Sequence, residues 1–401
     1  MMRVTYYYPW GYFHPIRSGA ATLAARHLEY FRSRGMRVRV LLCGDHPRAG
    51  RRDFERHYSW LEDLGVLDIR RHPSIASRFD RFTFADCLAG HTALGDLPQC
   101  RDFLSQDTDL VFLNYVFASP FLDLVPPAAK RVLETIDVLS KQFALRAGGP
   151  ALLGHNLRVE FDLYELYDQV MMISQEEYEL ARARSGARVA YLARAVDTVS
   201  AGSRLEDTAD DLFDLLFVGS DHPPNSEAIA WFYEHVFRPR LKRIGLRWAI
   251  AGSVCNHLSL SDPCVELLGS VDDLDAVYRR SKVVVVPLLS GTGISIKTLE
   301  ALGRGKPVVA TPVGLRGLSD VGDCVVAMPF EEQPEKVARC IRELCASQSL
   351  REQYGRRGLE YIRRNFSREG YERRMDELLA AVTGEPLAAA PSTPQLQSSA
   401  A

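Results

Sequence analysis

Seven residues, Val283-Val-Val-Val-Pro-Leu-Leu289, form an almost purely apolar run that stops just before a Gly291-Thr292-Gly293 turn. A run of strand length with no polar alternation suits a strand buried on both faces, as in a parallel sheet. Ser295 to Leu302 then carries helical spacing, Gly303 and Gly305 close it, and Pro307 to Thr311 reads as the next strand. A parallel neighbour is reached only through a crossover connection, so this part of the chain is α/β.

The same alternation runs through the rest of the sequence. Strands are expected at 3–8, 37–43, 66–69, 110–114, 131–136, 170–174 and 189–192, with a helix from Ala20 to Arg34 that Gly35 ends and another from Glu176 to Ser185. A second series begins near Asp211, with strands at 212–218, 247–251, 265–268, 283–289 and 307–311. Its helices are read at 225–237, 274–280 and 295–302 and, at the end of the series, at 335–346, 350–365 and 368–382. The stretch from about 75 to 107 fits the alternation poorly and reads as an insertion or a helical excursion. At 401 residues the chain exceeds one ordinary core. The reading is an N-terminal Rossmann-like domain over 1–200, a second over 201–365, a helix at 366–383, and a tail at 384–401. The joint falls near 195–210. The tail is rich in Ala, Pro, Ser and Gln with one acid and no base, a composition that buries no core and is expected to be disordered.

Charge narrows the partners. The net charge of −2 gives no global field for nucleic acid. Residues 1–100 hold 15 Arg and no Lys against 10 Asp plus Glu, an excess of +5. That excess reads either as a solvated surface or as a patch for an anionic acceptor or a membrane surface. No apolar run is long enough to span a bilayer, and the first residues lack the apolar segment of a signal peptide. The chain is therefore expected in the cytoplasm, with peripheral membrane contact through the Arg-rich region as the addition to that reading. Eight Cys are scattered without a Cys-x-x-Cys pair, so they read as small core hydrophobes, and no metal cluster is evident.

The chemistry concentrates at 287–311. Glycines let backbone N–H groups come close to a ligand, and a helix start adds unpaired donors and partial positive charge, which together favour phosphate. Lys297, in the first turn, adds a point charge, and Glu300, three residues on, shares its face and can accept two hydrogen bonds from a diol. The turn lies at the carboxyl end of a central parallel strand, where open α/β sheets bind ligands. No Gly-Lys-Ser/Thr closes the run, so it is not a P-loop.

This run resembles the donor site of the retaining glycosyltransferases of family 4, the glycosyl transferases group 1 type, which have the two-domain GT-B fold. His14-Pro-Ile-Arg-Ser-Gly19-Ala-Ala, Tyr191-Leu-Ala-Arg-Ala-Val-Asp197-Thr, Leu215-Leu-Phe-Val-Gly219, Ile250-Ala-Gly252 and Gly269-Ser-Val-Asp272 are similar to further landmarks of that family in order and spacing. The resemblance implies two Rossmann-like domains facing each other across a cleft, with the helix at 366–383 packing back on the N-terminal domain. The C-terminal half would hold a nucleotide sugar and the N-terminal half a glycan, glycolipid or small-molecule acceptor. It implies donor contacts from Gly219, Ser220, Gly291, Thr292, Gly293, Ile294, Ser295, Lys297 and Glu300, with Lys297 on the leaving diphosphate and Glu300 on the ribose. Gly19 and Asp137 would lie on the acceptor side, Asp137 also near the reacting sugar. Neither metal nor cofactor is implied, and cell-surface polysaccharide or glycoconjugate synthesis is the expected setting.

Three positions depart from the family pattern. Thr292 stands where many relatives have the first of two Glu. Ser220-Asp221-His222 replaces an Arg and a Lys that clamp phosphates. Asp137 stands where a His often follows the fifth strand, and it reads either as a buried structural Asp or as a contact to donor or acceptor hydroxyls. Tyr12, Phe13 and His14 read either as packed under their loop or as a stacking surface, and Asn225 as a helix cap. A nucleotide-sugar epimerase or hydrolase on the same fold, and a non-catalytic binding protein, are the alternatives to a transferase.

Overall fold

The computed structural model describes all residues except Pro15, Arg17, 45–47, Phe82, 147–148, 200–212 and 387–401. Most of the joint read at 195–210, the domain boundary at 200/201, and the tail from 387 onward therefore lie outside the described residues. The chain divides into two compact units: Met1–Met172 with Glu177–Leu192 and the stretch from Glu372, and Ile173–Glu176 with Ala193–Tyr371.

In the first unit seven strands form one sheet: β1 (Arg3–Tyr8), β2 (Arg37–Gly44), β3 (Asp63–Asp68), β4 (Leu110–Asn114), β5 (Lys130–Thr135), β6 (Gln169–Met172) and β7 (Val189–Tyr191). All neighbours pair in parallel, in the order β3-β2-β1-β4-β5-β6-β7. The second unit has β8 (Phe213–Val218), β9 (Trp248–Ala251), β10 (Val265–Gly269), β11 (Ser281–Val286), β12 (Val308–Ala310) and β13 (Val325–Ala327), again all parallel, in the order β10-β9-β8-β11-β12-β13. Each unit is a doubly wound α/β fold. The strand order reverses between β1 and β4 in one and between β8 and β11 in the other, which places a crevice at the carboxyl ends of those pairs.

The apolar run read from the sequence is the strand it was expected to be. Val283, Val284, Val285 and Val286 are at most 1% exposed, and β11 lies between β8 and β12. The poorly fitting stretch near 75–107 is helical: Pro73–Arg81, Phe84–Gly95 and Pro98–Leu104. Three helices escaped the sequence reading, at Arg48–His57, Leu139–Arg146 and Leu153–Tyr164. The helix read at 225–237 begins at Pro223 and continues past Phe232 as a wider winding over Tyr233–Leu241 that contains Pro239. A proline has no N–H to donate, so the change of winding absorbs the missing bond.

Candidate functional site

The site in the second unit is assembled from two strand ends. β11 runs out through Pro287 into the turn, where Gly291 adopts φ +150° and Gly293 φ +65°, the second a left-handed conformation that disfavours any side chain. The helix Ile296–Gly303 follows, with Ser295 before it. The segment after β12 holds the turn from behind. Thr298 donates to the Gly314 carbonyl at 2.6 Å, the Ser295 N–H donates to the Arg316 carbonyl at 3.1 Å, and Gly317, at φ +75°, packs directly on Ile294. Ile294 and Ser295 are buried, Ser295 completely, and the Ser295 N–H is already taken by Arg316.

Half-buried Lys297 reaches from the helix across to the neighbouring strand, with Nζ 5.7 Å from the ring centre of Phe217 in β8. Burial, and then the positive charge of Arg316, lower its pKa to about 8, while Glu300 pulls the other way. Glu300 is raised by burial, against the opposing pull of Arg304, Arg194 and Lys297. Arg304 is anchored beside it: Nε lies 2.6 Å from Asp275 and the guanidinium stacks 4.8 Å from the Tyr278 ring centre. The carboxylate therefore sits among three cations, one of them the lysine on its own helix face.

Gly219 ends β8 on the other side of the crevice. Its tight seat has a cause: a Cβ on Gly252 would lie 2.1 Å from the Gly219 carbonyl oxygen, and Gly252 is held at φ +107°. Ser220 is exposed. Asn225 does not cap the helix it opens. That helix starts at Pro223 with His222 in the cap position, and the Asn225 amide instead donates to the Ser220 carbonyl at 2.8 Å, tying the strand end to the helix.

Gly19 and Asp137 belong to the first unit. Gly19 is the first residue of the helix Gly19–Ser33, behind the Ser18 cap. Half-buried Asp137 accepts from Gln142 at 3.3 Å, and its carbonyl accepts from Thr135. The loop that carries it is fixed by two buried carboxylates. Glu177 accepts from the Val138 N–H at 3.0 Å, and Glu160 from the Leu139 and Ser140 N–H groups at 2.9 and 2.8 Å. Phe13 is buried against Tyr8, Phe54 and Tyr58, and Tyr12 contacts Phe54, the packed arrangement of the two weighed for this loop. His14 stacks on His57 with centroids 3.8 Å apart.

Sequence reasoning missed Arg316, Arg194 and Arg304 around the lysine and glutamate, and Trp10 and Tyr115 in the first unit. Tyr115 follows β4 at φ +67°, a costly conformation for an aromatic residue, and packs against Trp10, whose side chain stays 43% exposed. The Arg-rich N-terminal region is laced with ion pairs: Arg26 with Glu29, Arg34 with Asp376, Arg37 with Glu62, Arg51 with Glu55, and Arg56 with Asp53. These pairs favour a solvated, self-neutralised surface over a patch that collects anions. Among the described residues no group of His, Cys, Asp and Glu is placed to hold a metal ion, and no helix is long and apolar enough to cross a membrane.

Residues 213–347 match the family described as glycosyl transferases group 1. One curated relative, an uncharacterized 44.6 kDa protein in the cps region of Klebsiella pneumoniae, is 29% identical over 125 residues, which is 27% of this chain and 32% of that protein. The chain thus aligns with about a third of that relative's length. Three solved structures share the fold along nearly the whole chain. Sucrose-phosphate synthase from Thermosynechococcus elongatus has a TM-score of 0.67 at 16% identity, covering 96% of this chain and 100% of its own. HepE of Anabaena, solved with UDP-glucose, has a TM-score of 0.68 at 16% identity, covering 95% and 100%. A mutant of S. aureus TarM, solved with fondaparinux, alpha-GlcNAc-glycerol and UDP, has a TM-score of 0.68 at 10% identity, covering 95% and 100%. The chain has the two-domain fold of the GT-B glycosyltransferases, and its residues 213–347 are similar to the glycosyl transferases group 1 family.

Proposed function

We propose that this protein transfers a sugar from a nucleotide-diphosphate sugar to a glycan, glycolipid or small-molecule acceptor, with retention at the anomeric carbon. The observation that carries the reading is the placement of Lys297. Its amine lies over Phe217 near the end of β8, the strand next to β11 where the order reverses, and it stands in the first turn of the helix that follows Gly291–Gly293. In this reading backbone donors of the turn and Lys297 meet the diphosphate, and Glu300 accepts from the ribose diol. The largest contribution to catalysis is stabilisation of charge on the departing diphosphate, as the bond to the anomeric carbon breaks, the acceptor oxygen attacks from the same face and its proton passes to the departing phosphate oxygen. The protein's own cations take the place of a bound metal. Thr292, without a carboxylate, changes the contacts to the donor sugar, and Asp137 is assigned to donor or acceptor hydroxyls.

HepE was solved with UDP-glucose and the TarM mutant with UDP, so UDP is the first nucleotide to try, and the cps-region relative points to surface polysaccharide as the pathway. Thermal stabilisation by UDP, GDP, ADP and TDP, with and without EDTA, tests the reading in wild type, Lys297→Ala and Glu300→Ala. A nucleotide at 100 times its Kd should stabilise by about 2.7 kcal/mol, EDTA should leave the shift intact, and both substitutions should remove most of it. No shift with any of the four nucleotides would overturn the proposal. NMR of the product's anomeric centre then decides retention.

A further inference from the structure

Two cations converge on the glycine turn from different parts of the chain. Lys297 comes from the helix that follows the turn, and Arg316 from the segment after β12. The Arg316 guanidinium lies flat against Gly291: a Cβ there would come within 2.8 Å of Cζ, 3.0 Å of Nε and 3.1 Å of Nη1. Nε donates to the Thr292 carbonyl at 2.7 Å and Nη1 to the Val313 carbonyl at 3.0 Å, so the planar group is fixed in orientation as well as in place. Its backbone is pinned by the Ser295 N–H and by Gly317 on Ile294. The positive field of Arg316 reaches Lys297, so like charges have been brought together at a half-buried site. Glu300 offsets part of that repulsion, and a doubly charged anion beside both cations would offset more.

The segment after β8 offers no such help. Gly219-Ser220-Asp221 carries neither Arg nor Lys, and Asp221 faces His257 at 2.9 Å. We infer that Arg316 is a phosphate-binding residue of the donor site, which pairs with the distal phosphate of a nucleoside diphosphate and distinguishes a diphosphate from a monophosphate. The inference rests on the donor-site reading above. The competing role is a pure clamp, in which the guanidinium only holds the Thr292 and Val313 carbonyls.

Charge and clamp are separable by substitution. Arg316→Gln keeps an amide that can donate to a carbonyl and removes the charge, whereas Arg316→Lys keeps the charge and loses the fork. Calorimetric titration with UDP and with UMP, or with the diphosphate and monophosphate of whichever nucleoside stabilises the wild type, reads the difference. A charge-assisted contact to the distal phosphate predicts that Arg316→Gln weakens diphosphate binding about 10- to 100-fold and leaves monophosphate binding within about twofold. Arg316→Lys should recover most of the lost affinity, and the pH at which diphosphate binding falls away should move upward in Arg316→Gln, because Lys297 loses a repelling neighbour. Equal weakening of both nucleotides, or no weakening of either, would overturn the inference and leave Arg316 as a clamp. A wild type that binds none of the four nucleotides fails at an earlier point and overturns the donor-site reading, and this inference with it. Should Arg316→Gln not fold, as judged by circular dichroism, Arg316→Lys carries the test: retained selectivity for the diphosphate supports the charge, and lost selectivity supports the fork as a clamp.

Discussion

Lys297 has a pKa of about 8, so its charge changes within the working range of an enzyme. The amine is protonated below that value and neutral above it, and burial together with Arg316 sets the value. A diphosphate favours the protonated form. Affinity should therefore fall above pH 8, approaching tenfold per pH unit where only the charged form binds. Binding near pH 8 should also take up protons, which calorimetry in buffers of different ionisation enthalpy detects. A pH-independent affinity between 7 and 9 would remove Lys297 from the anion site. The turn, the lysine and the glutamate were legible because they sit within ten consecutive residues, where strand, glycine and helix follow one another. Arg316, Arg304 and Arg194 were not assigned. Arg316 reaches the turn only through the pairing of β12 with β11 and the packing of the segment beyond it, and Arg194 acts on Glu300 from a hundred residues away.

Strands with apolar runs were readable, and helices lacking an apolar stripe were not. Arg48–His57 reads Arg-Ala-Gly-Arg-Arg-Asp-Phe-Glu-Arg-His, and Phe54 is its one core residue with a described side chain, so no helical period shows. The helix Leu139–Arg146 is set by tertiary contacts invisible to periodicity, the carboxylates of Glu160 and Glu177 at its first N–H groups. Such an acceptor at a helix start satisfies donors that the helix cannot. Glu160 is fully buried and also accepts from Tyr164 at 2.9 Å. Glu160→Ala strands three donors and should cost roughly 3 kcal/mol or more, seen as a lower urea midpoint. Asp137 lies two residues before that helix start. The same variant should therefore lose turnover beyond what its unfolded fraction explains, if Asp137 meets substrate.

For the whole molecule, fold class was legible because two parallel series each left their own run of strands, whereas the return of the last helix to the first unit was implied by the family resemblance and by no local pattern. Met375, Leu378, Leu379 and Val382 of the helix Arg368–Thr383 are buried, at helical spacing. Asp376 accepts from Tyr30 at 2.7 Å and from Arg34 Nε at 2.8 Å, and Arg34 Nη2 lies 2.9 Å from its second oxygen. Asp376→Ala should cost about 1–2 kcal/mol, since Arg34 is nearly buried while the carboxylate is partly hydrated. A chain ending at Phe366 loses all four apolar side chains, worth roughly 1.5–3 kcal/mol each, and should be insoluble or unfolded in its first unit.

The first unit is completed by residues that follow the whole second unit in the chain. Until residues 372–383 emerge, the apolar surface that Met375 and Leu379 cover stays open to solvent and Arg34 has no Asp376. The nascent N-terminal half therefore carries an exposed apolar surface through the whole synthesis of the second unit. Its maturation is a closing step, and a chaperone that shields that surface during translation would act on this protein more than on one whose domains are completed in sequence.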